Sequence, residues 1–283
     1  MLALALGLAS SLSWGAGDFF GGMQAKRLPG IVVVAVSQAV ALGALAVAFI
    51  ASSALSLTIT AEASLTAAAA GLCGGLGLAS IYRALAVGKM GVVAPIAALG
   101  VLVPVIVGAI GGERPSAVQT AGMAAALAGS LLAARATRST EGEAQGSSSG
   151  LGLAVTAACF FGAAMVGLDR VADDAGAAQA VLVARIASVS VLSTVIFAVR
   201  IPVAGTLSSL PALACIGLLD LGAVLLFAVA TTQGLLSIVA IAGSLAPVVT
   251  VALAALVLGE RLSRAQMLGV VLALSGIVCI GAG

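Results

Sequence analysis

The chain has 283 residues, of which 62% are hydrophobic and only 8% charged. With a mean hydropathy of +1.28, 12 Lys+Arg and 10 Asp+Glu cannot cover a water-facing surface, since a soluble domain carries about 25% charged residues; disorder is excluded by the same apolar excess. The absence of histidine removes His-ligated metal sites, Ser-His-Asp triads and imidazole proton relays, and a net charge of +2 without a basic patch makes nucleic acid an unsuitable partner.

What remains is an all-α integral membrane protein. A span needs about 20 apolar residues, and the charge-free runs predict ten helices: 2–23, 31–51, 64–87, 91–111, 116–135, 151–169, 177–199, 208–230, 235–258 and 265–281. The first has no basic n-region and no clear cleavage site, so it is expected to stay in the membrane rather than act as a signal peptide. The uncharged run 221–259 would be roughly 58 Å long as one helix, twice the hydrocarbon thickness; it must turn back, at Thr231-Thr232-Gln233-Gly234. The polar segment ATRSTEGEAQGSSSG at 136–150 is the connector, separating a unit over 1–135 from one over 151–283. Cys73, Cys159, Cys215 and Cys279 lie far apart in apolar runs. They are expected as small core residues rather than metal ligands or a disulfide framework.

The two units repeat. Leu6-Gly7-Leu8-Ala9 recurs as Leu151-Gly152-Leu153-Ala154, Trp14-Gly15 as Phe161-Gly162, and Gly88 as Gly234. Gly112-Glu113-Arg114-Pro115-Ser116 recurs as Gly259-Glu260-Arg261-Leu262-Ser263, with Gln119 and Gly122 matched by Gln266 and Gly269. A nearly constant offset marks a duplication. Five helices per unit is an odd number, so the second copy enters from the opposite side of the membrane, giving two inverted-topology five-helix repeats. Lys26, Arg27, Arg83, Lys89, Arg135, Arg138, Arg200, Arg261 and Arg264 gather on one side and Arg114 and Arg170 on the other. By the positive-inside rule both termini then lie outside the cytoplasm.

WGAGDFFGG at 14–22, YRALAVGKMGVVAPIAALGVLVP at 82–104, GERPSAVQTAG at 112–122, SLAPVVTVALAALVLGE at 244–260 and LGERLSRAQMLGVVLALSG at 258–276 resemble the drug/metabolite transporter superfamily in its ten-helix EamA-type branch, over essentially the whole chain. The resemblance implies a proton-coupled or facilitative carrier of small metabolites, often amino acids, or of drugs, in the cytoplasmic membrane. It also implies cytoplasmic termini, against the Lys/Arg count.

Ser116 and Ser263 are placed to cap the helices that follow them, with each preceding Glu placed to pair with a neighbouring Arg or to face the next helix's positive end. Gly17/Gly21, Gly71/Gly75 and Gly108/Gly112 are GxxxG pairs suited to close helix packing. Pro95, Pro104 and Pro247 lie inside spans, where each removes a backbone donor; they are candidate helix breaks or gating points. Asp18, Arg83, Arg185 and Asp220 are the charges left within spans. A charge at the bilayer centre costs at least ~2.5–3.5 kcal/mol, so such groups face a cavity or a partner. Asp18 or Asp220 suits a proton or a substrate amine, and Arg185 a substrate carboxylate, which together fit a zwitterion. The competing reading is two ion pairs holding helices together, Asp18 with Arg83 and Arg185 with Asp220. Trp14, Tyr82, Gln38 and Gln233 are candidates for aromatic or hydrogen-bonding contacts, with Trp14 one turn from Asp18 on the same face.

The leading expectation is a secondary transporter working by alternating access, with a small-molecule substrate, protons and the lipid bilayer as partners, no cofactor or metal, and a homodimer left open. A membrane enzyme would need a second acidic motif beside Asp169-Arg170-Val171-Ala172-Asp173-Asp174. A channel would need a polar stripe along several helices. Neither is present; the alternative reading is a channel or a non-transporting membrane sensor, with an integral membrane enzyme behind both.

Overall fold

The computed structural model describes residues 1–52, 59–87, 96–134, 148–259 and 262–283. Among them every regular element is helical: α1 (Leu2–Ala25), α2 (Gly30–Ala51), α3 (Ala61–Val87), a 3-10 turn at Leu99–Val101 running into α4 (Leu102–Ile110), α5 (Ala117–Ala133), α6 (Ser148–Ala175), α7 (Ala177–Val199), α8 (Leu210–Thr231), α9 (Leu236–Gly243), α10 (Ala246–Leu258) and α11 (Arg264–Ala282). Among the described residues seven stretches are long and apolar enough to cross a membrane, and Ile96–Ile110 and Ala117–Ala133 are shorter apolar helices. The protein is therefore a multi-pass membrane protein. α1 is not among the seven. Ser10, Ser11, Ser13, Trp14 and Asp18 make it less apolar, and they are spent inside the bundle: Ser10 Oγ–H donates to the Ala223 carbonyl at 2.8 Å and Ser13 Oγ–H to that of Leu219 at 2.7 Å, both on α8. Interhelical bonds of this kind are worth about 0.6 kcal/mol each in lipid, up to ~1.7.

α3 packs on α6 and α7; α8 packs on α1 and α2; α1 also meets α9 and α10, as α6 meets the 3-10 turn and α4; α5 and α11 pack on each other. Small residues set these approaches. A side chain at Gly15 would strike Val249 and the Ala246 carbonyl, and one at Gly162 would strike Val103 and the Gly100 carbonyl. Gly71 sits against the backbone of Ala184 as Gly217 sits against that of Ser37. Between α5 and α11, Gly122 and Gly129 touch the backbone around Gly276 and Ala273, and Gly269 touches that around Gly129 and Ala133. Of the three GxxxG pairs, Gly71/Gly75 makes a double approach, to Ala184 and Ser188. Gly21 has nothing nearby, and Gly112 has left the helix with φ +92°.

The prolines shape the breaks. A proline ring clashes with the carbonyl four residues back but is tolerated in a first turn. Four residues before Pro247 is Gly243, where α9 ends, and Pro247 then occupies the first turn of α10. Pro104, fully buried, stands in the first turn of α4, behind the 3-10 turn. Pro95 lies outside the described residues, as does the expected linker, apart from Ser148–Gly150, which already belong to α6.

Ser116 and Ser263 each form a complete capping box, with Gln119 and Gln266. The cysteine expectation needs correcting: Cys73 is half-buried, but Cys159, Cys215 and Cys279 are exposed on the bundle's outside. A thiol is apolar enough to sit against lipid, so an apolar run does not tell which face of a membrane helix it lies on.

Candidate functional site

Within the bundle lies a cavity of about 330 Å³ walled by α1, α2, α3, α6, α7 and α8 and by the two broken helices. The breaks contribute matching segments: Ala97, Ala98, Gly100 and Val101 from one, Gly243, Ser244, Ala246 and Pro247 from the other. Gly71 and Gly74 on α3 add space, and Phe161, Met165, Leu168 and Phe227 give an apolar lining.

The polar groups converge here from helices that are distant in sequence. Arg185 on α7 is 6% exposed, and its Nη2 lies 2.5 Å from Asp220 Oδ2 on α8. The other Asp220 oxygen accepts a hydrogen bond from Trp14 Nε1–H at 3.3 Å, so α1, α7 and α8 are tied together at one carboxylate. That bond and the Phe227 ring, 5.8 Å away centroid to centroid, fix the Trp14 indole. One turn beyond Arg185, Ser188 Oγ–H donates to Gln38 Oε1 at 2.6 Å. The two charges of the pair cancel, while Asp18, on the face of α1 that carries Trp14, opens into the same cavity with no hydrogen-bond or ion-pair partner among the described residues. Arg185 Nε is buried and likewise without an acceptor there. The site thus sets a carboxylate without a partner among the described residues beside the guanidinium of the Arg185–Asp220 pair, along a largely apolar wall. A cation or proton suits the first, and a carboxylate or carbonyl oxygen the second.

Trp14, Asp18, Gln38, Arg185, Asp220 and Pro247 therefore meet at the cavity. Arg83 does not: it is exposed on α3 and absent from the wall, so the Asp18–Arg83 pairing is not formed. Gln233 is exposed and bonds to Thr232. The side chain of Tyr82 lies outside the described residues. Ser188, Ser244 and Gly74 are not singled out by the sequence, and Gly71 is read there only as a packing residue. Ser188 stands three residues after Arg185, the one available signal, because i and i+3 share a helix face.

Glu113 is joined across the chain. Its carboxylate accepts from the backbone N–H groups of Leu236 (2.6 Å) and Ser237 (3.1 Å) at the start of α9. It does serve a helix's positive end, but not that of the helix that follows it. Glu260, its counterpart in the second half, lies outside the described residues.

Residues 148–282 match the EamA-like transporter family. No curated protein matches the chain. A crystal structure of a protein 18% identical in sequence superposes over 98% of this chain and 95% of that one with a TM-score of 0.83, a likeness of fold.

Proposed function

We propose that the chain is a member of the EamA-like transporter family, membrane transporters of small molecules, which residues 148–282 match, and that it carries a small metabolite bearing an amine and a carboxylate across the cytoplasmic membrane by alternating access. The observation that carries this reading is the cavity in which the uncommitted carboxylate of Asp18 faces the same space as the Arg185–Asp220 pair. Asp18 holds the amine, or a proton when the substrate is absent. Arg185 meets the carboxylate. Trp14 and Phe227 cover the apolar part of the substrate, and Gln38 and Ser188 extend the polar wall.

Alternating access needs two pseudo-symmetric units around a shared site. Support comes from the way contacts recur at one offset. Gly15 on Val249 is mirrored by Gly162 on Val103, and Gly71 on Ala184 by Gly217 on Ser37; both capping boxes repeat as well. Each such pair exchanges a residue of the first unit, 1–135, with its equivalent in the second, 151–283. This pattern fits ten spans arranged as two inverted five-helix repeats.

The test is uptake and efflux in proteoliposomes with a panel of amino acids, amines and carboxylates, with and without a pH gradient. Zwitterions are expected to be transported and simple carboxylates not. With Asp18→Asn, acceleration by the gradient is expected to vanish. Wild-type transport by Asp18→Asn under the gradient would remove Asp18 from the mechanism.

A further inference from the structure

We infer that Glu113 is a positioning residue of the transport cycle: a clasp that holds α9, and with it one wall of the cavity, in the arrangement of this structure, and that must open for the cavity to be exposed on the Glu113 side of the membrane. The inference rests on the alternating-access reading above.

The first N–H groups of a helix have no partner within it. At α9 the N-cap residue is Leu235, whose side chain supplies no hydrogen bond. Glu113 supplies the missing acceptors from the other half of the chain, taking the Leu236 and Ser237 N–H groups on its two oxygens. The turn that carries it is built for the purpose. Gly112 adopts φ +92° after α4 ends, and Glu113 N–H donates to the Gly108 carbonyl at 2.9 Å. A side chain at Gly108 would collide with the Glu113 carboxylate. The other end of α9 is held from the same half: Ser130 Oγ–H on α5 donates to the Ser244 carbonyl at 2.7 Å.

α9 is eight residues long, a rigid rod of about 12 Å. Its far end, Gly243 and Ser244, lines the cavity, with Gly243 against the Trp14 ring. Any displacement of its start is therefore felt at the Trp14–Asp220 bond. A cap needed only for helix stability could have come from Ser, Thr, Asp or Asn at position 235; the long-range Glu113 bond adds a link between halves.

The test uses the full chain with its four cysteines replaced by Ala and a single Ala164→Cys in the cavity wall. In proteoliposomes, labelling by a membrane-impermeant maleimide is timed from each side. For Glu113→Gln, labelling from the Glu113 side is expected to be about tenfold faster, the ratio given by roughly 1.4 kcal/mol, with no acceleration from the other side. Adding Leu235→Asp gives α9 a cap of its own. If Glu113 positions α9, labelling stays fast in the double variant although the thermal midpoint recovers. A return to the wild-type rate makes Glu113 a plain cap and overturns the inference, as does equal acceleration from both sides or none. These rates need no substrate. Loss of the Asp18 prediction would thus leave the clasp standing, and an inert Glu113 would leave the binding site standing.

Discussion

Replacing Asp220 by Asn keeps the shape of the side chain and an oxygen for the Trp14 indole, but leaves Arg185 as an uncompensated charge in a site where it is 6% exposed. At 2.5 Å and an effective dielectric constant of about 20, the lost attraction is roughly 6–7 kcal/mol before desolvation is subtracted. Breaking a buried pair by removing one partner costs about 3–5 kcal/mol. Asp220 is 29% exposed toward the cavity, where water relieves part of the cost, so about 2–3 kcal/mol is expected. That corresponds to a fall of roughly 5–10 °C in the unfolding midpoint, at about 2–4 °C per kcal/mol for a chain of this size. The assay is thermal unfolding of purified protein in detergent, together with transport. Removing both charges, as Arg185→Met with Asp220→Leu, is expected to recover most of the stability while transport stays lost. A wild-type midpoint for Asp220→Asn would show that the pair does not hold α7 to α8, and wild-type transport by the double variant would show that neither charge binds substrate.

Gly71→Ala and Gly217→Ala are expected to destabilise by about 1–3 kcal/mol or more through overpacking, because each new methyl overlaps a backbone carbonyl, of Ala184 and Ser37. Gly43→Ala, with nothing within 4 Å, serves as the control, and size-exclusion yield after heating ranks the three. Ser116→Ala and Ser263→Ala each remove one capping box and are expected to cost about 1 kcal/mol apiece, read as equal drops in midpoint. A reporter fused to the C-terminus is expected to be active outside the cytoplasm, as the Lys/Arg distribution indicates; activity inside would reverse the orientation of every loop.

The helices were legible because apolar runs in this chain are long and the interrupting charges few. The pair of Arg185 and Asp220 was legible for the same reason, since two buried charges of opposite sign in a membrane need each other. Which face each helix turns inward was harder to read. Arg83 lies near a helix end, where the sequence cannot separate a cavity-facing charge from an outward one, and the structure turns it out. Three cysteines went the same way, because lipid and core are equally apolar solvents for a thiol. Glu113 illustrates the other gap. Its local pattern announced a helix-terminus role, but a partner 123 residues away depends on how the halves assemble, which no local spacing encodes. The break before Pro247 could be placed only to within a turn, since the ring acts on the carbonyl four residues back, and the chain chose to stop at Gly243.

The glycine seam between α5 and α11 has a consequence for how the protein is made. α5 ends at Ala133 and α11 at Ala282, so during synthesis α5 waits for about 150 residues, on the order of 10–30 s at ordinary elongation rates, before its partner emerges. Until then Gly122 and Gly129 meet only lipid tails. A chain stopped short of α11 leaves that bare backbone face open to any small-residue helix nearby, so the insertion of α11 is the step that commits α5 to its final partner.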